Sequence, residues 1–227
     1  MILVTVPNDG WVHKTVIQSV MTVANDPRYA KAIDFPSLAP PVDNFFNQAC
    51  KMIRENGDFE WWLNIDDDNA PTKNPLDLIE LGKPIMGCPT PVWRPDKAQQ
   101  LQWNAYDRVG RHLYPMTGPH TGFKKVGAVG SGCMLIHRSV IEAIPKYTFL
   151  SCYNEEGIRT MGPDTSFSYR AHEAGFEMWA HFDYPCFHIK EVNLLDLMNR
   201  ENQHLRPDEG KAEVVSELPS VGASAIT

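Results

Sequence analysis

The first ninety residues alternate between short apolar runs and amphipathic stretches, and that alternation restricts the fold more than any other feature of the chain. Ile2 to Val6 is a continuous apolar run, and Pro7-Asn8-Asp9-Gly10 turns the chain out of it. Val12, Val16, Ile17, Val20 and Val23 then fall on one helical face. Ala32 to Phe35 reads as a second strand. Val42, Phe45, Phe46, Ala49, Cys50 and Ile53 recur at helical spacing, and Gly57 stops that helix. Trp61 to Ile65 is a third strand and Ile85 to Cys88 a fourth. Between them Asn74 caps a short helix that opens at Pro75 and runs to Leu81. The order β-α-β-α-β-α-β predicts a mostly parallel central sheet with helices on both faces.

The third strand ends in an unusual way. Trp61-Trp62-Leu63-Asn64-Ile65 runs directly into Asp66-Asp67-Asp68, and Asn69-Ala70-Pro71 closes the turn. Open α/β sheets bind their ligands at the C-terminal ends of strands, which is where these carboxylates stand. Three adjacent negative charges repel, and burying them without a counter-charge is costly. A divalent cation supplies that charge, and hard oxygen ligands suit Mg²⁺ or Mn²⁺. A solvated acidic turn is the competing reading, and the apolar strand in front favours the metal. An EF-hand is excluded, because Ala70-Pro71 falls where that loop needs an oxygen ligand and then glycine. Neither a dinucleotide fingerprint nor a P-loop follows the first strand.

Composition narrows the class further. With 227 residues, 43% hydrophobic and 22% charged, the chain suffices for one sizeable core. A net charge of -7 without a basic run argues against general affinity for nucleic acid or anionic membrane. The five cysteines are scattered, odd in number and never spaced as CxxC, as expected of a reduced, cytoplasmic protein with buried thiols. The amino terminus reads as a strand, not a signal peptide, and no apolar run approaches the length of a membrane span.

From Pro89 to Lys125 the periodicity fails. Trp93, Trp103, Tyr106, Tyr114 and several prolines predict short strands and loops walling a cleft, with Trp93 and Trp103 candidates to stack on a sugar or base. Apolar order returns from Val126 to His137, where Gly127, Gly130 and Gly132 let either backbone or ligand approach closely. Ser139 is placed to cap a helix carrying Val140, Ile141 and Ile144. Gly162-Pro163-Asp164 opens another, with Phe167, Ala171 and Ala174 inward and Gly175 ending it. Strands follow at Glu177 to His181 and Cys186 to Ile189, then a helix from Asn193 to about Asn202. The expected organisation is a domain over 1–202 and a polar tail over 203–227.

Asp66 and Asp68, separated by one residue at the end of an apolar strand, resemble the DxD motif of GT-A fold glycosyltransferases, and the resemblance to their family-2-like members runs to about Val192. It implies a single GT-A, Rossmann-like α/β domain. It also implies a hexosyltransferase moving a sugar from a nucleotide-diphosphate sugar to an acceptor hydroxyl, with inversion, using Mn²⁺ or Mg²⁺. By the same resemblance Asp66, Asp68 and His188 hold the metal. Pro7, Asn8, Asn44, Asp66, Asp67, Gly130, Ser131 and Gly132 contact the nucleotide sugar, and Asp164 is the catalytic base. Pro163 departs from the pattern, since many relatives carry a second acidic residue there. Glu155 and Glu156 are the next candidates for the base. Lys83, Arg94, Lys124 and Lys125 are candidate partners of the diphosphate. The acceptor is expected to be a saccharide or glycan, with a modified DNA base also open. Two other classes stand beside this one: a metal-dependent sugar-nucleotide phosphohydrolase, and a silent nucleotide- or sugar-binding module on the same fold.

Overall fold

Strands β1 (Ile2–Thr5), β2 (Lys31–Asp34) and β3 (Trp61–Ile65), joined by helices α1 (Lys14–Ala24) and α2 (Val42–Glu55), form the parallel half of the computed structural model, which describes residues 1–37, 41–94, 101–144 and 147–190. Then come β4 (Asn69–Pro71), a 3-10 helix (Pro75–Leu81) and β5 (Ile85–Gly87). The irregular stretch supplies β6 (Pro91–Trp93), β7 (Leu101–Trp103), β8 (Ala105–Val109), β9 (His112–Pro115) and β10 (Phe123–Val126). The remaining elements are β11 (Ala128–Val129), β12 (Cys133–His137), α3 (Arg138–Ala143), β13 (Cys152–Tyr153), β14 (Arg159–Met161), α4 (Pro163–Glu173), β15 (Met178–His181) and β16 (Cys186–His188). The chain divides into Met1–Ile189, to which this fold belongs, and Lys190–Thr227. The helix expected from Asn193 and the tail over 203–227 lie outside the described residues.

Seven strands share one sheet in the order β10-β15-β5-β12-β3-β1-β2. β1, β2, β3, β5 and β15 run one way; β12 opposes both its neighbours and β10 opposes β15. The sheet is therefore mostly parallel, as the alternation predicts. Two further ribbons matter for the site: β16 pairs with β4, and β11-β8-β9 form a small sheet of their own.

The pleat of β3 divides the core in two. Trp62 faces Phe45 and Phe46 of α2 together with Phe149 and Phe167, whereas Trp61, Leu63 and Ile65 join Val16, Val20 and Val23 of α1. Phe149 stacks on Phe46 at 4.8 Å and on Phe167 at 4.5 Å between ring centroids, so three elements meet at one ring. Three expectations shift at element ends. Ile17 is 37% exposed, leaving Val16, Val20 and Val23 as the buried face. Ala174 is exposed beyond the end of α4. α3 is capped by the His137 imidazole, which accepts from the Ser139 N–H (3.2 Å), and not by the serine hydroxyl. Among the described residues no helix is long and apolar enough to cross a membrane.

Phe149 is 1% exposed. Phe149→Ala should cost about 3–5 kcal/mol through lost transfer free energy and the cavity left behind. Equilibrium urea unfolding measures it, and a loss below about 1 kcal/mol would mean the cluster closes over the gap.

Candidate functional site

The aspartate turn is built from the strand beneath it. Asn64 is buried inside the apolar β3 and lies beside Thr5 in the parallel register with β1. Trp62 donates from Nε1 to Thr5 Oγ1 (2.8 Å), and Thr5 donates from Oγ1 to Asn64 Oδ1 (3.1 Å). The Asn64 amide then donates to Asp66 Oδ1 and to the Ser131 carbonyl, each at 2.8 Å. Every polar atom in this chain has a partner, which a buried amide requires. Backbone bonds fix the rest of the turn: Asp66 N to Gly132 O (2.8 Å), His13 N to Asp67 O (3.0 Å) and Ile189 N to Asp68 O (3.0 Å). The end of β3, the start of α1, the loop before β12 and the end of β16 thus converge on three consecutive carboxylates.

Asp68 and His188 are brought face to face. β16 pairs with β4 so that His188 lies opposite Asn69, and His188 Nε2 stands 3.7 Å from Asp68 Oδ2. The other ring nitrogen, Nδ1, lies 2.8 Å from the Pro91 carbonyl. A carbonyl only accepts, so Nδ1 carries a proton, and Nε2 is the nitrogen turned toward the carboxylate. A backbone carbonyl fixing the tautomer is also how metal-ligating histidines are usually held. The side-chain amide of Asn69 donates to Asp68 Oδ1, orienting the carboxylate. Among the described residues no three His, Cys, Asp or Glu side chains converge closely enough to hold a metal ion alone. Asp68 and His188 are the pair of candidate metal ligands that the fold brings into contact.

Burial pushes the Asp66 carboxyl up to about 7; the Asn64 hydrogen bond opposes this, and the charges of Asp68, Asp67 and Asp164 add to it. Asp164 is thus close enough to act on Asp66. It occupies the first turn of α4, where its Oδ1 accepts from the Thr165 N–H (2.8 Å), and burial raises its pKa too. Tyr106, on β8, feels the charge of Asp164 and the opposing charge of Arg94, with burial the chief cause of its raised pKa. The Tyr106 hydroxyl reaches Asn104 Oδ1 at 3.5 Å.

The other candidate residues lie as follows. Pro7 is buried, and the Asn8 side chain serves its own turn, donating to Val6 O (3.1 Å) and accepting from Gly10 N (3.1 Å). Asn44 is exposed on α2. The glycines are answered by packing: a side chain at Gly127 would strike Arg108, one at Gly130 would strike Asn104, and one at Gly132 would meet the Asn69 amide at 2.8 Å. The lysines are engaged at the other end of the sheet order. Lys83 lies 4.5 Å from the Trp179 ring, Lys124 lies 6.0 Å from that of Phe182, and Lys125 pairs with Glu177 at 2.6 Å. Arg94 alone of the four basic candidates stands beside Tyr106. Trp103 is half-buried edge-on to Phe182 and donates to Gly118 O (2.9 Å), so it packs the insert. Asn64, Thr5 and Asn69 escaped the sequence reading. The signal for the first was one amide inside five otherwise apolar positions. Cys88, Cys133 and Cys186 lie buried just behind the site, each within three residues of Pro91, Gly132 or His188.

No protein-family description matches the chain, and no curated protein sequence matches it. Among solved structures it is similar to the A197 protein from STIV, with TM-score 0.61 and 18% identity over 84% of this chain and 86% of that one. It is also similar to GalNAc-T7 solved with UDP, GalNAc and Mn²⁺, with TM-score 0.52 and 11% identity over 85% of this chain. That alignment spans 44% of the GalNAc-T7 chain, less than half its length. At these identities the likeness is one of fold. The chain has a GT-A-like α/β fold.

The raised Asp66 carboxyl has a stability signature. Its folded value, about 7, exceeds the ordinary 3.8, so between these the folded chain holds a proton that the unfolded chain has released. Stability is therefore present in acid and lost as pH rises toward and through about 7. Without divalent cation the melting temperature should fall from about pH 5 to about pH 8, and Asp66→Asn should remove most of that slope. Calorimetry across this range checks it, and an unchanged slope in the variant would place the titration elsewhere.

Proposed function

We propose that the chain transfers a sugar from a nucleotide-diphosphate sugar to a saccharide hydroxyl, with Mn²⁺ or Mg²⁺ held by Asp68 and His188. The observation that carries this reading is the juxtaposition of two candidate ligands at the end of β3: His188 Nε2, its ring oriented by the Pro91 carbonyl, faces Asp68 Oδ2 across 3.7 Å. When bound, the cation supplies positive charge against the diphosphate as it departs, where stabilisation has its largest effect on rate. The protein residues do the rest. Asn64 holds Asp66 toward the ribose or the cation, and Asp67 takes its place beside the nucleotide. Arg94, next to Tyr106, is the basic residue available to the diphosphate.

Asp164 is the general base. A sugar hydroxyl is a poor nucleophile at neutral pH, so a carboxylate accepts its proton as the new bond forms. Thr165 N–H occupies Oδ1, which leaves Oδ2 as the basic oxygen, and burial raises its affinity for the proton. Attack from the face opposite the leaving diphosphate gives an inverted product. The Mn²⁺ and UDP present with GalNAc-T7 support the choice of donor class without specifying the base or sugar.

Asp68→Ala and His188→Ala should each weaken Mn²⁺-dependent binding of nucleoside diphosphates by roughly tenfold to a hundredfold, as read by titration calorimetry. Wild-type affinity in either variant overturns the metal assignment. Asp164→Asn should bind donor and metal normally while transfer falls by about two to four orders of magnitude. A near-wild-type rate would reduce Asp164 to a helix-end charge. Free sugar released equally with and without acceptor would make the enzyme a hydrolase instead, and a retained anomeric configuration would exclude single displacement.

A further inference from the structure

On the far side of the β4–β16 ribbon lies a groove of about 230 Å³ that the proposed chemistry does not use. Thr15, Gln18, Ser19 and Thr22 of α1 form one wall, β4 the floor, and Lys73 and Phe187 the opposite rim. Side chains alternate across a strand, so Phe187 points into the groove where the next residue, His188, points to the aspartates. Phe187 is 58% exposed.

The hydrogen bonds define what this groove offers a ligand. Ser19 donates from Oγ to the Thr15 and Pro71 carbonyls (3.1 and 3.2 Å), and Thr22 donates to the Gln18 carbonyl (3.1 Å). The Thr15 N–H donates to His13 Nδ1, so that nitrogen is an acceptor, and the Thr15 hydroxyl at 2.7 Å must donate to it as well. Of the four hydroxyls lining the groove, those of Thr15, Ser19 and Thr22 thereby spend their protons inside the protein and present lone pairs outward, and Thr72 is the fourth. Asn74 is likewise committed, accepting from Leu76 N and donating to Asp26. Lys73 lies over the Tyr184 ring at 4.8 Å. The groove therefore offers three acceptor oxygens on its α1 wall, with the Gln18 amide, the Thr72 hydroxyl, the Lys73 ammonium and one exposed aromatic ring around them.

A phosphate brings mostly acceptors, which suit Lys73 and Thr72 on the rim and leave the three acceptor oxygens of the α1 wall unanswered. Apolar side chains leave those oxygens unsatisfied. A polyol brings donors for each oxygen and a C–H face for the ring. We propose that this groove binds a neutral saccharide, as an accessory site separate from the Asp66–Asp68 centre. Its size suits one sugar ring, being below the roughly 300–1,000 Å³ of sites for drug-sized ligands.

The full chain, labelled with ¹⁵N, is titrated with neutral trisaccharides built from glucose, galactose or mannose, and separately with inorganic phosphate. At least one saccharide should shift the amide resonances of Gln18, Ser19, Thr22 and Phe187 and saturate at millimolar concentration. Phe187→Ala and Gln18→Ala should each weaken that binding by roughly fivefold to tenfold. Asp68→Ala should leave it unchanged, so failure of the metal-site reading would not remove this one. Perturbation by phosphate alone, shifts confined to residues 64–68, or unaltered affinity in both groove variants would each overturn the proposal. So would silence of all three saccharides at these resonances.

Discussion

Trp62, Thr5 and Asn64 form a hydrogen-bonded chain across the centre of the sheet, and the geometry of the acidic turn depends on it. An unpaired buried amide is costly, about 1–3 kcal/mol for each lost partner, so Asn64 cannot easily turn away. Its two donors reach in different directions, one to Asp66 and one to the Ser131 carbonyl. The first aspartate and the glycine-bearing loop are thereby held against each other by a residue that touches no solvent.

The reversal of β12 gives that arrangement its reach. Because β12 runs against β3, the loop entering β12 arrives at the same sheet edge as the loop leaving β3. The β16–β4 ribbon then adds His188 from almost the end of the described chain. Segments separated by more than a hundred residues reach one carboxylate cluster through backbone pairing, before any side chain chooses a rotamer. An edge built in this way suits charged groups that must stand close together without collapsing onto one another.

Much of this was legible in the sequence. The bounds of β3 follow from Trp61 through Ile65 alone, and α2 from its apolar spacing, because each buries a regular face. Ala174 and Ile17 misled because periodicity does not say where a neighbouring element stops covering a helix. The stretch after Pro89 folds into two antiparallel pairs, β6–β7 and β8–β9, whose partly exposed side chains give no clean alternation, and β10 pairs with β15 more than fifty residues away, which no local pattern encodes. The aspartates stood out as a string, and His188 through family resemblance. Asn64 did not, because a single amide within an apolar run looks like an interruption until its partner on another strand is known.

Cys88, Cys133 and Cys186 carry a practical consequence. Each is at most 3% exposed, and each is close in sequence to a segment that shapes the site. A thiol reagent reaches them only when those segments part, so the labelling rate measures the free energy of local opening, separately from global unfolding. Exposed Cys152 reacts without such opening and serves as an internal reference. The protein thus contains its own clock for how often the acidic edge breathes.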